Sequence, residues 1–173
     1  MSIMKIFLPD KLYHRAADVD FRELYDEGKR VLLIDVDNTL IKHGGNVFDE
    51  YAYSVISKAE NHGLMCILFS NAKTSRIKDI SDITRIEYIH RPFKPSGKGI
   101  KSYLREHKDI SSNEIVVIGD QIFTDILAGN LAGVMTILVD PMYHNEPRQI
   151  RLKRYLEKFV KNRVAIDKIS PVE

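Results

Sequence analysis

Five short apolar runs constrain this chain more than any other feature: "VLLIDV" (31–36), "LMCILF" (64–69), "IEYI" (86–89), "IVVI" (115–118) and "MTILV" (135–139). They are rich in Val, Ile and Leu and lack clean alternation, which is how strands buried on both faces read. Segments of helical character lie between them. "DEYAYSVISKAENHG" sets Ala52, Val55, Ile56 and Ala59 at helical spacing and ends at Gly63, a ready C-cap. "SGKGIKSYLREHKD" and "DILAGNLAG" follow the same logic. Strands alternating with helices predict a Rossmann-like, doubly wound parallel sheet in a three-layer α/β/α domain with right-handed crossovers. Ahead of the first run, residues 1–29 read as an irregular lead-in with a short helix near 20–27.

At 173 residues, the chain is expected to form one domain over 1–173, with a catalytic core over 30–140. Its 44% hydrophobic and 29% charged content excludes a disordered chain, and no apolar stretch is long enough to cross a bilayer. The single cysteine, Cys66, lies inside an apolar run and reads as a core residue; one cysteine cannot form an internal disulfide. The absence of a cleavable signal pattern, with this cysteine usage, fits a cytoplasmic location. The six histidines are scattered and form no metal-ligand spacing, although His43 follows the first acid pair closely enough to touch a substrate.

In such a sheet, ligands gather beyond the carboxyl ends of the strands. Reactive residue types recur there. Run one ends at Asp35 and Asp37; run two is followed by Ser70 and Asn71; run three by "HRPFKPSGK" with Lys94 and Lys98; run four by "GDQIFTD" with Asp120 and Asp125. Each has a bland reading, since Asp, Ser and Asn also serve as turns and helix caps. Together they suit phosphoryl transfer. Converging carboxylates without a His/Cys cluster favour a hard cation such as Mg²⁺. A carboxylate can attack phosphorus, and a second acid can protonate the leaving oxygen and then activate water. A serine hydroxyl and a lysine, either Lys94 or Lys98, can meet the charge that spreads over phosphoryl oxygens.

"DVDNT", "FSN", "FKP" and "GDQIFTD", in that order over residues 35–125, resemble the four motifs of the haloacid dehalogenase-like phosphohydrolases. More narrowly, "FLPD", "LIDVDNTL", the Lys-Pro pair at 94–95 and "VIGDQIFTDILAGNLAGVMTILVDP" resemble subfamily IIIA of that superfamily and its bacterial YqeG family. That family is similar to the mitochondrial phosphatidylglycerophosphate phosphatases. The resemblance implies Asp35 as nucleophile, Asp37 as general acid/base and Lys94 as the catalytic lysine. It implies Mg²⁺ held by Asp35, the backbone carbonyl of Asp37, Asp120 and Asp125, phosphate binding by Ser70 and Asn71, and Thr39 holding the loop in shape.

The stretches between the first and second and the second and third motifs are too short for a large cap domain, so an open site that admits a bulky or surface-bound phosphate is expected. Toward the C-terminus, "PRQIRLKRYLEKFVKNR" carries seven Lys/Arg and one Glu from Arg148 to Arg163. Leu152, Tyr155, Leu156, Phe159 and Val160 would share one stripe of a basic amphipathic helix over 148–163. Such a helix either packs on the domain or touches an anionic membrane from its inner face. The expectation is a Mg²⁺-dependent phosphomonoester hydrolase acting on a phospholipid head group, that of phosphatidylglycerophosphate. A phosphatase of protein or nucleic-acid phosphates is the second reading, with nucleic acid not favoured, and a non-catalytic binding protein of the same fold is the third.

Overall fold

A computed structural model describes residues 3–142 of the chain. All five apolar runs form strands: β2 (Val31–Ile34), β3 (Met65–Leu68), β4 (Glu87–Tyr88), β5 (Ile115–Gly119) and β6 (Met135–Val139). They are preceded by β1 (Lys11–Tyr13). The six pair in the order β1-β6-β5-β2-β3-β4, and every pairing is parallel. Leu33 lies between Ile67 of β3 and Val117 of β5, so the first apolar run is the centre of the sheet.

The helices are α1 (Phe21–Asp26), α2 (Glu50–Asn61), α3 (Thr74–Thr84), α4 (Lys98–Glu106) and α5 (Leu127–Ala132). Successive side chains of a strand face opposite ways. Leu32 and Ile34 therefore pack with Phe21, Val55 and Ile77, which puts α1, α2 and α3 on one face. Val31, Leu33 and Val117 pack with Ile100, Tyr103 and Ala128, which puts α4 and α5 on the other. This is the three-layer, doubly wound arrangement expected. The chain runs outward from β2 through β3 to β4, then returns to the other side of β2 for β5. The direction of winding thus reverses between β2 and β5, the place where such folds open a crevice.

Two elements lack a clear sequence signal. The lead-in contributes β1, a three-residue edge strand with Leu12 turned outward, held because Asp10 accepts from the Thr136 backbone N–H at 2.7 Å. Helix α3 buries only Ile77 and Ile80 in an otherwise polar segment, too thin a stripe to stand out. The connections that would carry a cap run only over 35–49 and 69–73. The helix expected over 148–163 lies outside the described residues.

Candidate active site

Strand β2 brings Asp35 to the crevice still in register, its backbone N–H donating to Ile118 O at 2.9 Å. The chain then folds back tightly. The N–H groups of Leu40 and Ile41 both donate to Val36 O, and Asn38 takes a left-handed φ of 62° that Asn tolerates better than most residues. The turn leaves Asp35 buried and Asp37 part-exposed at the cleft rim. Thr39 Oγ1 lies 3.5 Å from Asp35 Oδ2 inside the turn.

Strand β5 ends at Gly119 and delivers Asp120, fully buried. A π-helical turn over Ile122–Ile126 follows and carries Asp125 back against the strand end. The Gln121 N–H fixes it by donating to Asp125 Oδ2 at 3.0 Å. Gly119 is required there, because a Cβ would collide with the Asp125 carboxylate. Lys94 reaches in from the loop after β4. Its Nζ donates to Asp35 Oδ1 at 2.5 Å and to Asp125 Oδ1 at 2.6 Å. Lys98, the competing lysine of the sequence, is exposed at the start of α4.

Ser70 is buried beside this cluster, and its Oγ accepts from the Ala72 N–H at 3.2 Å. Asn71 clamps the lysine loop: its Nδ2 donates to Lys94 O at 2.9 Å while its Oδ1 accepts from the Lys94 N–H at 3.2 Å. Asp37 is held differently. Arg76 Nη1 and Nη2 donate to its Oδ2 and Oδ1 at 2.8 and 3.0 Å, and the Gly44 N–H donates to Oδ1 at 2.7 Å. His43 Nδ1 stands 3.6 Å from the same oxygen. Arg76 also grips the loop over the cleft, donating to Gly45 O from Nε and Nη2 and to Asn46 Oδ1 from Nε.

Arg76 and Gly119 are the residues that reading the sequence for chemistry missed. Arg76 lies in the first turn of α3, which in a parallel sheet starts at the carboxyl rim. Recognition of that helix was the signal that would have pointed to it. Asp35, Asp37, Ser70, Asn71, Lys94 and Arg76 all line one cleft of about 470 Å³. A second hollow, of about 640 Å³, opens beside β4 against α4, and its lining includes none of the four acids.

Electrostatics divides the cleft. Burial pushes the Asp35 carboxyl up to about 7, against the pull of Lys94 in the opposite direction. Burial alone would lower the Lys94 ammonium, but Asp125 and Asp35 hold it above its usual range. Carboxylate oxygens of Asp35, Asp120 and Asp125 lie within 4.8 Å of one another, all buried. Three acids with one ammonium among them make an all-oxygen donor set in which a hard divalent cation would offset the remaining negative charge. The Asp37 carboxylate, turned to Arg76, is outside that set.

Residues 2–143 match the family described as "Mitochondrial PGP phosphatase". The chain is 29% identical to "Probable phosphatase YqeG" of Bacillus subtilis (strain 168), over 90% of each chain. It is 28% identical to "Phosphatidylglycerophosphate phosphatase 1, chloroplastic/mitochondrial" of Arabidopsis thaliana, covering 83% of this chain and 46% of that one. Against "Phosphatidylglycerophosphate phosphatase 1, chloroplastic" of Chlamydomonas reinhardtii, it is 26% identical, covering 82% of this chain and 56% of the relative. The chain thus spans about half the length of these two plant and algal relatives. A crystal structure of an uncharacterized protein from Listeria monocytogenes serotype 4b shares the fold, with a TM-score of 0.54 and 18% identity over 68% of this chain and 85% of that one.

Proposed function

We propose, on the premise that this chain belongs to the mitochondrial PGP phosphatase family, that it is a Mg²⁺-dependent phosphomonoester hydrolase of the haloacid dehalogenase type. Its proposed substrate is phosphatidylglycerophosphate, cleaved to phosphatidylglycerol and phosphate. The observation that carries this reading is the Lys94 ammonium bridging Asp35 and Asp125 beside Asp120 at the switch point of the sheet.

An Asp35 carboxylate oxygen attacks phosphorus, the phosphorus–oxygen bond to the glycerol breaks, and the departing alkoxide takes a proton from Asp37. Asp37 then removes a proton from a water that attacks the aspartyl-phosphate, which releases phosphate and restores Asp35. Lys94 neutralises charge on the nucleophile and on the phosphoryl oxygens, and the Ser70 hydroxyl donates to one of those oxygens. Asn71 holds the Lys94 backbone, so its part is in placing the lysine as much as in binding phosphate. Asp35, Asp120 and Asp125, with the Asp37 carbonyl, would hold Mg²⁺, which supplies Lewis-acid stabilisation of the phosphoryl oxygens when bound. Arg76 keeps Asp37 turned to the cleft rim.

The open cleft, with only 35–49 and 69–73 where a cap would sit, suits a phosphate carried on a bulky group. No helix among the described residues is long and apolar enough to cross a membrane. In this reading the protein meets its lipid from the aqueous side, at the inner face of a membrane.

The test is phosphate release from phosphatidylglycerophosphate in mixed micelles, with and without Mg²⁺, beside a soluble phosphomonoester and the Asp35→Asn protein. Metal-dependent release from the lipid, absent in the variant, is expected. Release from the soluble ester alone would discard the lipid and favour protein or nucleic-acid phosphates. No release from either substrate would count against a phosphatase and for a binding protein of this fold.

A further inference from the structure

The connections that leave the carboxyl ends of β2, β3 and β4 run over 35–49, 69–73 and 89–97, and their segments 42–48, 69–73 and 89–97 lie at the end of the sheet where His43, Lys73 and Lys94 line the cleft. Between them they carry Lys42, His43, Lys73, His90, Arg91 and Lys94 and not one Asp or Glu. All but Lys94 are exposed. Of the acids that flank these segments, Asp37 is held by Arg76 and Asp49 has its Oδ1 occupied by the Ala52 N–H, while Glu87 lines the second hollow together with His90, Arg91 and Phe93.

Two apolar side chains stand out of this cationic rim. Val47 is 76% exposed on the loop after β2, and Phe93 is 53% exposed on the loop after β4. Phe93 also takes a φ of 48°, in the left-handed region. For a bulky residue that backbone is strained. The Phe93 carbonyl accepts from the Ser96 N–H at 2.8 Å and from Ser96 Oγ at 2.7 Å, so this backbone shapes the turn that presents Lys94 while the ring stays half exposed.

We propose that this half of the rim is the surface on which the protein seats against an anionic lipid bilayer. Phe93 and Val47 enter the headgroup region, and Lys42, Lys73 and Arg91 meet lipid phosphates. Apolar tips beside cations are the combination that holds a peripheral protein at an interface. Because the loops that carry the tips also carry Asp37's neighbours and Lys94, seating would bring the cleft mouth to the lipid headgroups. This deepens the reading of the site as a phospholipid phosphatase and rests on it.

The experiment is co-sedimentation with phosphatidylcholine vesicles, with and without phosphatidylserine, so that neither substrate nor product is present. The full chain is expected to bind the anionic vesicles at least about tenfold more tightly than the neutral ones, with the difference shrinking as salt rises. A Val47→Asn/Phe93→Asn variant is expected to lose about tenfold in anionic-vesicle binding with no fall in melting temperature, since Asn tolerates the left-handed backbone. Lys42→Glu/Arg91→Glu should lose the preference for anionic over neutral vesicles. Equal binding to both vesicle types, or to neither, would overturn the proposal; the rim cations would then suit a phosphoprotein instead. Undiminished binding in both variants would also overturn it and assign the membrane contact to the basic segment 148–163. Failure of the phosphatase reading shows separately, as absence of phosphate release from the wild-type protein in detergent micelles.

Discussion

The cleft holds charge in two ways a few residues apart. At its floor, Lys94, Asp35 and Asp125 form ion pairs with side chains 7% exposed or less, beside the fully buried Asp120. At its rim, Arg76 and Asp37 form a better fork of hydrogen bonds, yet each side chain keeps 15% of its surface in solvent. The floor is a place where ionisation itself is contested, because burial and opposite charge pull Asp35 in opposite directions. The rim is a place where charges are merely aimed. Chemistry that makes and breaks a bond to a carboxylate suits the first setting; handing a proton to and from solvent suits the second.

The largest effect belongs to the nucleophile. Asp35→Asn should lower phosphate release by at least about 10³-fold, the scale on which removal of a reacting group acts. It should leave the fold intact, because the amide oxygen still accepts from Lys94 and one buried charge is gone. Lys94→Met should do the reverse to stability. It leaves Asp35 and Asp125 buried without their cation and should cost about 3–5 kcal/mol in urea unfolding of the metal-free protein. Added divalent cation should recover part of that loss. A Lys94→Met protein as stable as wild type would erase the contrast between floor and rim.

The pH dependence sharpens the same contrast. Asp35 is raised in the folded protein from 3.8 to about 7. A raised carboxyl binds its proton more tightly folded than unfolded, so its contribution to stability is complete below about pH 4 and is lost as pH rises through 7. The urea midpoint of the metal-free protein should therefore fall between about pH 4 and pH 7, and Asp35→Asn should flatten the slope. Divalent-cation affinity should rise over the same interval, because binding must displace that proton. A midpoint that climbs with pH in the wild type would show that Lys94 wins over burial.

What the sequence made legible follows from how each feature is encoded. The central strands β2 and β5 are buried on both faces, so they are written as unbroken apolar runs, and the acids that end them are conspicuous by contrast. Asp35 and Asp120 could be read because carboxylates at the ends of such runs need a reason, whereas Lys94 and Asp125 were singled out by the resemblance of the Lys-Pro pair and of "GDQIFTD" to the motifs of a known family. Strand β1 could not be read, because its stability comes from pairing with β6 and from Asp10, across more than a hundred residues of chain. Arg76 was equally hidden: its worth lies in three partners from the connection after β2, 30 to 39 residues earlier, and nothing local separates it from a surface arginine. Gly119 looked like part of a motif, while its reason is the collision a side chain would make with Asp125.

The smallest effect should come from the rim. Arg76→Lys keeps the positive charge and gives up the planar fork, so the paired contacts to Asp37 and the hold on Gly45 cannot all survive. Because the pair is partly solvated, stability should change by no more than about 1 kcal/mol. Phosphate release should fall about three- to tenfold, less than the about 10²–10⁴-fold that general acid–base assistance contributes in full, since Asp37 remains present and only its aim is loosened. The way that loss divides is informative. A fall in kcat with KM unchanged would place Arg76's effect on Asp37, while a rise in KM would place it on the loop at 44–46 that the guanidinium ties down. A destabilisation as large as that of Lys94→Met would mean that rim and floor form one buried network, and the division drawn between them would fall.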